Sequence, residues 1–127
     1  ESLSLVVVGQ AVSLRVVVRC QARIQALVVG FMLKDRVGQA VFGTNTFHHQ
    51  QQLHDLEAGE VVTHHFDFHA NLGAGTYSVA VAAHEDHTHV GRNFEWRDHA
   101  LVFDVVNTHQ PDFVGVAWLP TTIRCSR

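Results

Sequence analysis

The chain has 127 residues, 46% of them apolar; 9 Lys and Arg stand against 12 Asp and Glu, for a formal charge of −3. That is one domain, residues 1–127, with enough apolar side chain for a real core, so global disorder is excluded. The mild acidity excludes a general nucleic-acid binder, which needs a basic face to displace counterions. No apolar run approaches the ~20 residues of a membrane span, and no signal peptide opens the chain. The only methionine is Met32, so Glu1 is not an initiator position and the sequence reads as a fragment. Cys20 and Cys125 lack metal-site spacing and are too few for a disulfide framework; they read as reduced thiols.

The hydrophobic period along the chain is two, the period of strands. Val12, Leu14, Val16, Val18 and Cys20 alternate with Ser13, Arg15, Val17, Arg19 and Gln21. Leu27, Val29, Phe31 and Leu33 follow, then a turn at Asp35-Arg36-Val37-Gly38, and extended chain resumes at Val41-Phe42-Gly43. Residues 48–56 alone have a helical look, in a short polar stretch. Further alternating sets run through Val62, His64, Phe66 and Phe68, through Tyr77, Val79, Val81 and Ala83, and through Leu101, Phe103 and Val105. Val114, Val116 and Trp118 close the series. About eight strands with antiparallel alternation must bury one face of each sheet against another, which predicts an all-β, two-sheet sandwich of jelly-roll type.

Jelly-roll pairing sorts the outward residues into two faces. One carries Val28, Gly30, Met32, Ala80, Ala82, Ala117 and Leu119. So apolar a face suits a dimer interface, or a surface covered by another part of the intact protein. The other carries Ser13, Arg15, Arg19, His65, Asp67, His69, Trp96, Asp98 and Asp104. An indole beside His, Asp and Arg suits a carbohydrate: sugar C–H faces stack on the ring, and hydroxyls take directional hydrogen bonds. An ordinary solvated sheet face has a similar composition.

The 11 histidines are the oddest feature. His48-His49 and His64-His65 are adjacent pairs whose members point to opposite strand faces, which prevents joint chelation. His87 and His89 stand two apart, so they share a face, and Glu95 is an available carboxylate. That is the germ of a cupin-like metal site. The carboxylate lies too far on for the cupin pattern, however, and Val81 occupies the place of its upstream glycine. No G-x-S-x-G elbow, H-E-x-x-H or phosphate-binding glycine loop occurs. Cys20 falls on the inward register, where a packing role outweighs a nucleophilic one. The residues therefore favour a binding module without a cofactor over an enzyme.

The ordered motifs resemble one family. Val29-Gly30-Phe31-Met32-Leu33-Lys34-Asp35, Gly38 and Val41-Phe42-Gly43-Thr44-Asn45-Thr46 come first. Leu56-x-Ala58-Gly59-Glu60, Phe66-x-Phe68 and Leu72-Gly73-Ala74-Gly75-Thr76-Tyr77 follow. Asp98-His99-Ala100-Leu101-Val102-Phe103-Asp104-Val105 and Gly115-Val116-Ala117-Trp118 complete the set, which covers nearly the whole chain. It is similar to the C-terminal carbohydrate-binding domain of Wzt, the nucleotide-binding subunit of O-antigen polysaccharide ABC transporters.

The resemblance implies a β-sandwich that dimerises, with a terminal strand as the element exchanged. It implies a cytoplasmic module appended to an ATPase domain that this fragment lacks, held at the inner membrane through the transporter's transmembrane subunit. It also implies recognition of the capping residue at the non-reducing end of a lipid-linked polysaccharide. The matching glycines and aromatics serve turns and core, so none carries over as a binding residue. From face and composition, the expected contacts are Arg15, Arg19, His65, Asp67 and Trp96, with His84, His87, Arg92 and Asn93 closing one edge. Trp96 would stack on a sugar ring, and Arg19 or Arg92 would meet an anionic cap. The rivals are a metalloenzyme using His87, His89 and Glu95, and a purely structural dimerisation domain.

Overall fold

A computed structural model describes residues 4–85 and 93–127; of residues 93–99 the backbone alone is described. Eight strands make up the regular structure, in chain order β1 (Leu5–Val7), β2 (Ala11–Arg19), β3 (Ile24–Lys34), β4 (Ala40–Asn45), β5 (Leu53–Leu56), β6 (Val61–His69), β7 (Gly75–Glu85) and β8 (Asn93–Val106). They form two sheets: a larger one in the order β1-β8-β7-β3-β4, with β5 also on β3, and a smaller one of β2 and β6 alone. All pairings are antiparallel except β1 on β8, which is parallel. The all-β sandwich read from periodicity is therefore the fold observed.

The period-two pattern of β2 and β6 translates directly into sidedness, each strand alternating exposed and half-buried residues along its length. Their register pairs Val12 with Phe68, Leu14 with Phe66, Val16 with His64 and Val18 with Val62 on the inward side. These side chains close on the inner residues of the larger sheet. Phe31 of β3 is the hub: its ring meets Phe66 edge-on at 5.0 Å and stacks on Phe68 at 5.6 Å. One core cluster gathers Phe31, Leu33, Tyr77, Val79, Phe103 and Val105; a second, toward the other end, gathers Cys20, Ile24, Leu27, Val29, Leu56 and Ala83. The Tyr77 hydroxyl donates to the Gly73 carbonyl at 2.7 Å, satisfying the phenol inside the first cluster.

β3 is buried on both faces, as a central strand must be. Gly30 lets β4 pass close, since a Cβ there would stand 2.6 Å from Asn45 Cβ and 2.8 Å from the Thr44 carbonyl oxygen. Beyond β4 the chain folds back, and Thr46 anchors it. Its Oγ1 accepts from the Val29 N–H at 3.1 Å, while its own N–H donates to the Val29 carbonyl at 2.9 Å.

Four expectations are corrected. β8 belongs to the larger sheet, between β1 and β7, and not beside β2 and β6. A strand that follows its neighbour closely in sequence pairs with it at low loop-closure cost, and β7 and β8 are such a pair. Residues 114–118 do not form a strand; Leu72 and Ala117 make a single antiparallel bridge. Gly115 at φ 101° and Pro111 and Pro120 on either side break any longer ladder there. Residues 48–56 are not helical: a run of turns through 46–50 leads into β5. The Asn45 side chain accepts from the His48 N–H at 2.8 Å and turns the chain locally instead. Finally, the apolar outward face is closed at its centre, with Val28 at 0% and Ala80 at 2% exposure, while Ala117 and Leu119 lie outside both sheets.

Candidate functional site

The smaller sheet is too narrow to cover the larger one. β6 sits over β3, as the Phe66 and Phe68 contacts with Phe31 fix. β2 therefore ends the smaller sheet above β7 and β8, with one edge unpaired among the described residues. Along that edge runs a groove of about 1170 Å³, floored by Val79, Val81, Leu101 and Phe103 and walled by residues 12–19 of β2. Ser13, Arg15, Arg19, Gln21 and His65 line it as well, so its rim is polar.

The outer face of β2 and β6 carries the polar residues in register. Arg15 stands opposite His65, Ser13 opposite Asp67, Ala11 opposite His69 and Arg19 opposite Val61. All of these residues are exposed. Directly opposed side chains have Cβ atoms about 4.5–5.5 Å apart, close enough to engage one small group together. Among the described residues neither Arg15 nor Arg19 has an ion-pair partner. Arg23, just beyond β2, does: its guanidinium meets Asp55 at 3.0 Å and Glu57 at 3.9 Å.

The inward neighbour of this strip is His64. Its Nδ1 is buried with no hydrogen-bond partner among the described residues, and its ring stacks on Phe66 at 6.3 Å. Burial holds its pKa below the usual imidazole value of 6.5. The folded state therefore prefers the neutral ring, and the unfolded state takes up the proton first as pH falls. Stability is full above about pH 6.5 and is lost as pH drops from there toward the lower folded-state pKa. Urea unfolding at stepped pH should show that loss in the parent and a flatter profile in His64→Phe; equal slopes would exclude His64 as its source.

Of the residues expected at the site, Arg15, Arg19, His65 and Asp67 come together on the β2–β6 face. His84 does not join them. It pairs with Val28 and Asn93 in the larger sheet, on the far layer of the sandwich. The backbones of Asn93 and Trp96 belong to that layer too, Trp96 opposite Ala82, and Asp104 bonds Thr76 there at 2.6 Å. The Trp96 and Asn93 side chains, like that of Glu95, and residues His87, His89 and Arg92 lie outside what is described. The described residues contain no group of three or more His, Cys, Asp or Glu arranged for a metal. Cys20 is buried at the end of β2, with its thiol pKa raised by desolvation and by Glu60, while Cys125 is exposed.

The apolar groove floor was not apparent from the sequence. Val79, Val81, Leu101 and Phe103 carry an ordinary core pattern, and only the unequal width of the two sheets opens them.

An open groove with a polar rim, on a two-sheet antiparallel β-sandwich, is the architecture of a binding module. The model of the Wzt C-terminal domain matches residues 1–119, and the chain belongs to that family. The crystal structure of the C-terminal domain of Wzt has the same fold: TM-score 0.83 at 18% identity, over 95% of this chain and 73% of that one. A search of the curated proteins found no match.

Proposed function

We propose that this domain is a non-catalytic module that binds the non-reducing, capping end of a lipid-linked O-antigen polysaccharide on the outer face of β2 and β6. One observation carries the reading: in a member of the Wzt C-terminal family, Arg15, His65, Ser13 and Asp67 lie in register beside a groove. Donors, acceptors and a carboxylate at strand spacing match the hydroxyls of a sugar ring. A shallow face of this kind orders flexible hydroxyls at a cost, so affinity at one site falls roughly between micromolar and millimolar.

In the intact assembly the domain sits on the cytoplasmic side of the inner membrane, attached to its ATPase domain and, through it, to the transmembrane subunit. Engagement of the cap there licenses export. Two copies pair as a homodimer. The unpaired edge of β2 and the apolar groove floor suit an added strand, and residues 119–127 are exposed and carry Leu119 and Ile123. Exchange of that segment would cover the floor and leave the polar strip open.

Titration calorimetry with capped and uncapped oligosaccharides of the same repeat tests the reading. A polar group left unpaired by the uncapped end costs ~1–3 kcal/mol, so the capped chain should bind about 5- to 150-fold tighter. Asp67→Ala should weaken the capped ligand within the same range. Equal affinity for both ends, or an unaffected Asp67→Ala, sinks the proposal.

A further inference from the structure

We propose that the loop between β4 and β5, residues 46–52, is a second contact for the glycan and takes a neutral sugar residue behind the cap; this rests on the glycan-binding reading above and extends it along the same polymer.

Phe47 is the core of the proposal. Its side chain is 50% exposed. Among the described aromatic side chains it alone neither joins a core cluster nor meets a ring that does; Phe42, also half-exposed, packs on Phe31 at 6.0 Å. The described ring contact of Phe47 is with its neighbour His48, edge-on at 6.0 Å. The backbone beneath it is fixed. The two Thr46–Val29 bonds anchor the start of the loop, and the Asn45 side chain accepts from the His48 N–H at 2.8 Å. The Phe47 carbonyl accepts from the Gln50 N–H at 3.0 Å, and the Thr46 carbonyl from the Gln51 N–H at 2.7 Å. A ring presented on so constrained a turn loses little conformational freedom on binding.

The chemistry beside the ring selects the ligand. From Thr44 to His54 the sequence holds no Asp, Glu, Lys or Arg, although 17% of the chain is charged. His48, His49, Gln50 and Gln51 follow Phe47, all exposed. Amides and imidazoles both donate and accept, as sugar hydroxyls do, and a phenyl face suits the C–H side of a pyranose. A phosphate, an acidic sugar or an anionic lipid surface calls for Lys or Arg, which this stretch lacks. Among the described residues the histidines here form no group of three with the geometry for a metal.

The loop leaves β4 beside Gly30 and re-enters the sheet at Leu53, opposite Leu27. It therefore stands at the edge of the larger sheet, on the far side of β6 from the groove. Its anchor, Val29, belongs to the cluster on which Phe66 packs, and Phe66 is next in sequence to His65. A glycan whose capped end meets Arg15 and His65 and runs across β6 brings its inner residues to Phe47.

The test uses the full 127-residue chain and oligosaccharides cut from one O-antigen, with the same capped end and either a single repeat or several. Titration calorimetry should give about two- to tenfold tighter binding to the longer form, the worth of one ring stack. The gain should persist at high salt, because no charged side chain takes part. Phe47→Ala should abolish the gain and leave the single-repeat affinity unchanged, while Phe47→Tyr should retain it. Val102→Ala, at a similarly exposed position on β8, should change neither. If the longer form binds no tighter, or its gain survives Phe47→Ala or vanishes at high salt, the inference is overturned and the reading of the cap stands. An equal loss on both lengths in Phe47→Ala puts the ring at the cap and overturns it as well. If neither length binds, the glycan-binding reading itself falls.

Discussion

Phe31→Ala should lower the stability of the domain by about 3–5 kcal/mol and its melting midpoint by about 10–20 °C. Phe31 is 6% exposed and makes ring contacts with Phe66, Phe68 and Phe42. It is the residue through which the larger sheet meets β6. Truncation removes a phenyl ring from water-free contact and leaves a void that the two sheets cannot close, because each is held at its own strand spacing by backbone hydrogen bonds. Domains of this size have a total stability of only about 5–15 kcal/mol, so the variant sits near the limit of folding. Phe42 provides the internal comparison: it touches the same ring at 6.0 Å but is 51% exposed. Chemical denaturation of both variants should rank Phe31→Ala well above Phe42→Ala in cost. Similar costs would mean that the sheets are not joined through this ring.

Gly30→Ala carries the second large effect, about 1–3 kcal/mol, through overpacking rather than a void. The obstructing atoms are Asn45 Cβ and the Thr44 carbonyl oxygen. Both belong to β4, and one is backbone, so no side-chain rotation relieves the clash. The β3–β4 pairing itself must open, and that disturbs the turn at 46–50 and the Thr46 bonds to Val29 that follow it. Gly43→Ala, on the same strand pair, meets nothing nearer than 3.4 Å and should be close to neutral. Thermal melts of the two variants separate a steric requirement at Gly30 from a general intolerance of side chains in this hairpin. A neutral Gly30→Ala would show that β4 yields without loss.

Phe31 and Arg15 mark where a sequence is legible and where it is not. Phe31 was readable as core because Leu27, Val29, Phe31 and Leu33 repeat every second residue, and a strand turns that repeat into one buried face. The same rule placed Arg15 and His65 on outward faces, and their two strands were assigned to one sheet on jelly-roll analogy. Their opposition, residue against residue, is a matter of register, and register depends on the turn between strands far apart in the chain. Trp96 illustrates the failure of that analogy. Alternation says which residues share a side of a strand and is silent on which strand lies next to it, so jelly-roll analogy puts β8 in the sheet of β2, whereas it pairs with β7.

By itself the sequence determined the sandwich class, the inward and outward residues of β2 and β6, and the family, because each is written in local period and ordered short motifs. Tertiary structure alone decided that, among the described residues, the smaller sheet has two strands, that a groove follows from that deficit, and that Arg15, Arg19 and His65 line it together. The physical reason is that strand neighbours are chosen by the free energy of closing loops and burying whole faces, a sum over distant residues that no local pattern contains.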